Sequence, residues 1–96
     1  MEFGGGIMKV LKKNGIKEEF DLSKVRRSIA SAASDCNMVL TQSDLSNACK
    51  MVESVIRTGG KEETSSYEIF GAVVFKLKEL DYTEVVQAYV KSALGL

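Results

Sequence analysis

The sequence predicts an α+β fold, a small β-hairpin packed over a four-helix bundle. Three observations predict it. Asn14-Gly15 stands between two short runs that mix apolar and charged residues, and Asn-Gly between such runs is a strong short-range hairpin signal. Four later stretches repeat their apolar residues at three- and four-residue steps, the period of a helix face. A chain of 96 residues is long enough for one modest core and short of the length at which a second is expected.

Residues 1–7, with Gly4-Gly5-Gly6, read as a flexible extension ahead of a domain at 8–94, and Met8 offers a second start. The hairpin is expected to pair 7–13 with 16–20 through a two-residue turn in which both central residues take positive φ. Asp21 then caps a first helix over about 22–34, with Leu22, Val25, Ile29, Ala32 and Cys36 on one face. Thr41 and Asp44 resemble a capping box for a second helix, whose stripe of Leu45, Ala48, Cys49, Val52 and Ile56 ends at Gly59-Gly60. Residues 61–64 read as a polar connection. Ser65, three positions before Glu68, caps a third helix with a broad apolar face built on Ile69, Val73, Leu77 and Leu80. Asp81-Tyr82-Thr83 breaks the pattern, and Val85, Val86, Tyr89, Val90 and Ala93 carry a fourth helix almost to the C-terminus.

Thirteen basic and thirteen acidic residues cancel, which removes the bulk attraction behind nonspecific nucleic-acid binding and argues against direct nucleic-acid contact. The balance is local, however: residues 9–27 hold seven cations against three acids. A positive patch of that size suits a small polyanion better than a duplex. Cys36 and Cys49 form no Cys-x-x-Cys pair and the chain has no histidine, so buried free thiols in a reducing cytoplasm are expected and a metal cluster is not. No apolar run is long enough to cross a bilayer, and no export leader is evident. Without histidine, and without a Ser or Cys nucleophile beside a recognisable partner, catalysis has little support.

Familiar nucleotide motifs are absent. Gly60-Lys61 is followed by Glu62 where a phosphate loop needs Ser or Thr, and Gly4-Gly5-Gly6 precedes a strand where a Rossmann glycine run follows one. The informative segment is Lys12-Lys13 at the turn, with Lys24, Arg26 and Arg27 in the opening turns of the first helix. Exposed cations there are disfavoured by roughly 0.3–1 kcal/mol each by the helix dipole. Either an anion compensates them, or they are solvated side chains whose stems cover apolar neighbours. Glu18 and Asp21 read equally as surface acids or as carboxylates that accept from an adenine amino group while the lysines hold phosphate. Ser66 and Phe70 read most simply as helix start and packing.

Val10-Leu11-Lys12-Lys13-Asn14-Gly15, Glu18-Glu19-Phe20-Asp21, Lys24-Val25, Ser28-Ile29, Ser65-Ser66-Tyr67-Glu68-Ile69, and Leu80-Asp81 with Glu84-Val85-Val86-Gln87-Ala88-Tyr89-Val90 together resemble the ATP-cone, a domain that regulates ribonucleotide reductases and forms part of the repressor of their genes. The resemblance implies a hairpin lid over a four-helix bundle with ATP or dATP between them, magnesium being left open. It implies that Lys12 and Lys13 grip phosphates, Lys24 assists, Glu18 and Asp21 address the adenine, and Val10 and Val25 wall it. Ser66 and Phe70 would lie near the sugar, and Lys91 would be a late phosphate contact. Lys13 and Asn14 stand where arginine and aspartate are commoner, and the usual aromatic and basic ending is replaced by Ser92-Ala93-Leu94-Gly95-Leu96. The expected function is that of an adenine nucleotide-binding allosteric switch, excised or free-standing, that acts on a reductase or its regulation or through self-association. The alternative is a degenerate cone that serves as a helical interaction module without nucleotide.

Overall fold

The computed structural model describes residues 8–58 and 62–96. The expected extension at 1–7, the Gly59-Gly60 helix end and Lys61 lie outside the described residues. The element order is β1 (Lys9–Leu11), β2 (Lys17–Glu19), α1 (Leu22–Asp35), α2 (Gln42–Ile56), β3 (Glu63–Ser65), α3 (Ser66–Glu79) and α4 (Thr83–Leu94). The fold is α+β, as the sequence predicts.

β1 and β2 pair antiparallel with Lys9 opposite Glu19, Val10 opposite Glu18 and Leu11 opposite Lys17. The connection differs from the expected two-residue turn. Gly15 N donates to Lys12 O at 2.9 Å, Lys12 N donates to Ile16 O at 2.8 Å, and Gly15 alone takes positive φ, +86°. This is a type I turn followed by a left-handed glycine, which needs one permissive residue where the primed turn needs two. Asn14 contributes through its side chain, whose Oδ1 accepts from Ile16 N at 3.0 Å.

The sheet has a third strand that the sequence reading missed. β3 runs parallel to β1, with Val10 beside Thr64 and Leu11 beside Ser65, so the order is β2-β1-β3. The segment expected as a polar connection is recruited because the open edge of β1 carries backbone groups that need partners. Lys9 N, for instance, donates to Glu62 O at 3.0 Å.

Helix starts follow the expected caps. Asp21 Oδ1 accepts from Ser23 N at 2.9 Å, Thr41 and Asp44 close a reciprocal capping box, and Ser65 Oγ accepts from Glu68 N at 3.1 Å. In a chain without proline, α1, α3 and α4 stop where Asn37, Asp81 and Gly95 turn left-handed. Met38 N and Tyr82 N then return to Ala33 O and Leu77 O, the closing bond of a Schellman end.

The helices form a ring in which α1 packs on α2 and α4, and α3 packs on the same two. Ile29, Ala48, Val52, Leu77 and Val85 are wholly buried inside it. Met8, just ahead of β1, inserts into that core and anchors the sheet to the ring. Thr64, the buried polar residue among those described, donates its hydroxyl to Glu68 Oε1 at 2.7 Å and so ties β3 to the first turn of α3. Cys49 is buried and Cys36 half-buried, both as free thiols.

Candidate functional site

Strand register and helix pitch bring the predicted residues together. Val10 and Glu18 are direct cross-strand partners, so their side chains share a face of the sheet. At the start of α1, the cap Asp21 and the helical Lys24, Val25 and Ser28 are related by steps of three and four residues and present one side. Between that sheet face and the helices lies a half-open hollow of about 160 Å³. Val10, Val25 and Ile69 form its apolar wall, and Lys12, Glu18, Glu19, Asp21 and Lys24 its charged rim; Ser66 and Tyr89 enter from α3 and α4.

Glu18 is the centre of the rim. Its Oε1 lies 3.9 Å from Lys12 Nζ and 3.4 Å from Lys24 Nζ. All three side chains are 41–59% exposed, so each pair contributes only about 0–1 kcal/mol. The arrangement is easily exchanged: a stronger anion can take both amines from the carboxylate. Asp21 is more firmly held. The Ser23 hydroxyl and backbone N–H, followed by the charges of Lys24 and Arg27, keep its carboxyl below the usual 3.8 despite some opposing desolvation. One of its oxygens is thus committed to the helix cap.

Of the ten residues expected at the site, Val10, Lys12, Glu18, Asp21, Lys24, Val25 and Ser66 line this hollow. Phe70 stands one layer behind, stacked on Tyr89 at 5.7 Å between ring centroids. Lys13 lies outside the lining, with its amine 6.0 Å from the centre of the Tyr67 ring. Lys91 borders a different recess, with Asp35, Glu84 and Gln87. Arg26, expected with the anion-holding cations, turns to the opposite side of α1 and donates to Ser46 Oγ at 2.9 Å and to Gln42 Oε1.

Sequence reasoning missed Glu19, Phe20, Ser28, Ile69 and Tyr89, which also line the hollow. Tyr89 had a usable signal: a tyrosine within an apolar stripe needs an opening for its hydroxyl. Burial pushes that phenol above its ordinary value.

Clefts that take up a whole small ligand usually measure about 300–1,000 Å³, so a hollow of about 160 Å³ suits a flat ring whose charged remainder lies outside it. The fold and site therefore define a small module with a ring-sized apolar slot bordered by two lysines and three carboxylates. Residues 8–91 match the family model of the ATP cone domain, and the chain belongs to that family, whose members are regulatory nucleotide-binding domains. A comparison with curated proteins returns no match.

Proposed function

We propose that this cone binds ATP or dATP with the adenine in the hollow and the phosphates on the lysines of its rim, and that it works as an allosteric switch. The observation that carries the reading is the shared position of Glu18 between Lys12 and Lys24. Phosphate oxygens, carrying more charge, replace Glu18 as partner of the two amines, and the released carboxylate accepts from the adenine amino group. Val10 and Val25 cover the ring faces, Ser66 and Phe70 stand on the sugar side, and Asp21 has one oxygen free of the cap. Ligand exchange at Glu18 couples nucleotide to the position of the hairpin. A partner or second copy that touches the hairpin then senses which nucleotide is bound, provided the two favour different states.

By family, the process controlled is ribonucleotide reduction, through the reductase or the regulation of its genes. Free thiols at Cys36 and Cys49 fit a reducing cytoplasm, and no described helix is long and apolar enough to cross a membrane.

The test is calorimetric titration of the chain with ATP, dATP and GTP. Saturable binding of the adenine nucleotides is expected, with GTP weaker because guanine turns a carbonyl oxygen toward Glu18 where adenine has an amino group. Absence of saturable adenine-nucleotide binding at millimolar concentration overturns the reading. At a hundredfold excess over Kd, ligand adds about 2.7 kcal/mol to the unfolding free energy. Lys24→Ala, by weakening ATP about tenfold, is expected to remove about 1.4 kcal/mol of that gain while leaving the ligand-free protein nearly unchanged.

A further inference from the structure

A second depression, about 520 Å³ in volume, follows the seam between α1 and α4. It is continuous with the base-sized hollow, because Lys24, Ser28 and Tyr89 border both. Beyond these shared residues it is lined by Arg27, Ser31, Ser92 and Ala93. Lys24, Arg27, Ser28 and Ser31 are one helical stripe at steps of three and four residues, adjacent to the apolar stripe of α1. Beyond Tyr89 the facing residues of α4, Ser92 and Ala93, are small, and this leaves the seam open. The lining thus holds two cations and four hydroxyls, and no carboxylate.

Arg27 is the unexplained member of this seam. Among the described residues it makes no ion pair and no hydrogen bond; its charge is felt only at a distance, by Asp21. Meanwhile Lys13, the other candidate for the distal phosphates, stands outside the hollow beside Tyr67. The charged remainder of a nucleotide whose ring fills the hollow therefore has two exits, toward the hairpin turn or along the α1–α4 seam. The seam offers the larger volume, an uncommitted guanidinium and hydroxyl donors on both walls.

We infer that the phosphate chain runs along the α1–α4 seam, with Arg27 as the residue that holds the distal phosphates and sets the preference for triphosphate over monophosphate. This inference rests on the nucleotide reading above and adds the direction of the chain and the residue that measures its length. Lys24, on the border of both depressions, holds the phosphate nearest the sugar. Ser31 and Ser92 donate to oxygens further along, whereas the Ser28 hydroxyl is committed to Lys24 O at 3.0 Å.

The test compares the Kd of AMP, ADP and ATP for the wild-type chain and for Arg27→Ala, Ser92→Asp, Lys13→Ala and the remote control Lys50→Ala. The wild type is expected to bind ATP more tightly than AMP. Arg27→Ala should weaken ATP about tenfold and AMP less than twofold, the loss of one charge-assisted contact. Ser92→Asp should move the ATP to AMP ratio in the same direction by repulsion, and Lys50→Ala should leave it unchanged. Both altered seam positions are exposed, and an unchanged circular dichroism spectrum will confirm folding. If the wild type binds adenine nucleotides but Arg27→Ala keeps their ratio, or Lys13→Ala collapses it in its place, the inference is overturned while the nucleotide reading stands. Failure of the wild type to bind any of the three overturns both.

Discussion

The two sides of α1 end in opposite ways. Toward α2, Arg26 crosses the seam and donates to Ser46 and Gln42, above a core in which Ala48, Val52 and Ile56 are buried. Toward α4, Arg27 has no such acceptor and small side chains leave a trough. Adjacent residues of the same chemistry thus serve closure on one side and an open, charged surface on the other. The lesson is that one helix serves two ends: its Arg26 side ties α1 to α2, and its Arg27 side leaves a charged surface beside the hollow, while all four helices share the core.

The comparison breaks if mutational costs do not follow it. The largest effect is expected from Leu77→Ala, at a wholly buried position in α3. It should lower the unfolding free energy by about 3 kcal/mol, measured by urea denaturation, with nucleotide affinity unchanged in the folded fraction. A sharper test uses the paired arginines. Arg26→Ala, which leaves Gln42 and Ser46 without their donor, should cost about 1 kcal/mol, whereas Arg27→Ala should stay within about 0.5 kcal/mol. Equal costs would erase the distinction between the two seams.

The smallest expected effect is in the acid limb. The folded-state pKa of Asp21 is lowered below 3.8 by Ser23 and its cationic neighbours, so its contribution is fully present above 3.8 and disappears as pH falls through the lower folded value. Asp21→Asn should therefore flatten the stability profile below about pH 4 and leave its neutral-pH shape unaltered. An unchanged acid limb in a pH series of urea melts would show that the Ser23 cap does not hold the charge.

Local information was enough for most of the elements. Asn14-Gly15, Asp21, Thr41 with Asp44, and Ser65 each mark a boundary through a bond formed within three residues of themselves, and the stripes through Ile29, Val52, Leu77 and Val85 name the core. β3 was not legible. Its three residues, Glu63–Ser65, are polar and too few to show a period, and what makes them a strand is the free edge of β1, more than fifty positions earlier in the chain.

The candidate site divides the same way. Val10, Lys12, Glu18, Asp21, Lys24 and Val25 are brought together by one hairpin and the helix that follows it, so a short stretch of sequence sufficed to group them. Tyr89 and the α1–α4 trough required the ring to close. The sequence by itself determined the α+β class, the caps, the hairpin position and the family signature, because each depends on spacing along the chain. Only the tertiary structure decided that Arg26 is a tie and Arg27 is open. Successive helix residues point about 100° apart, and which of those directions meets a neighbouring helix is set by packing between segments far apart in sequence.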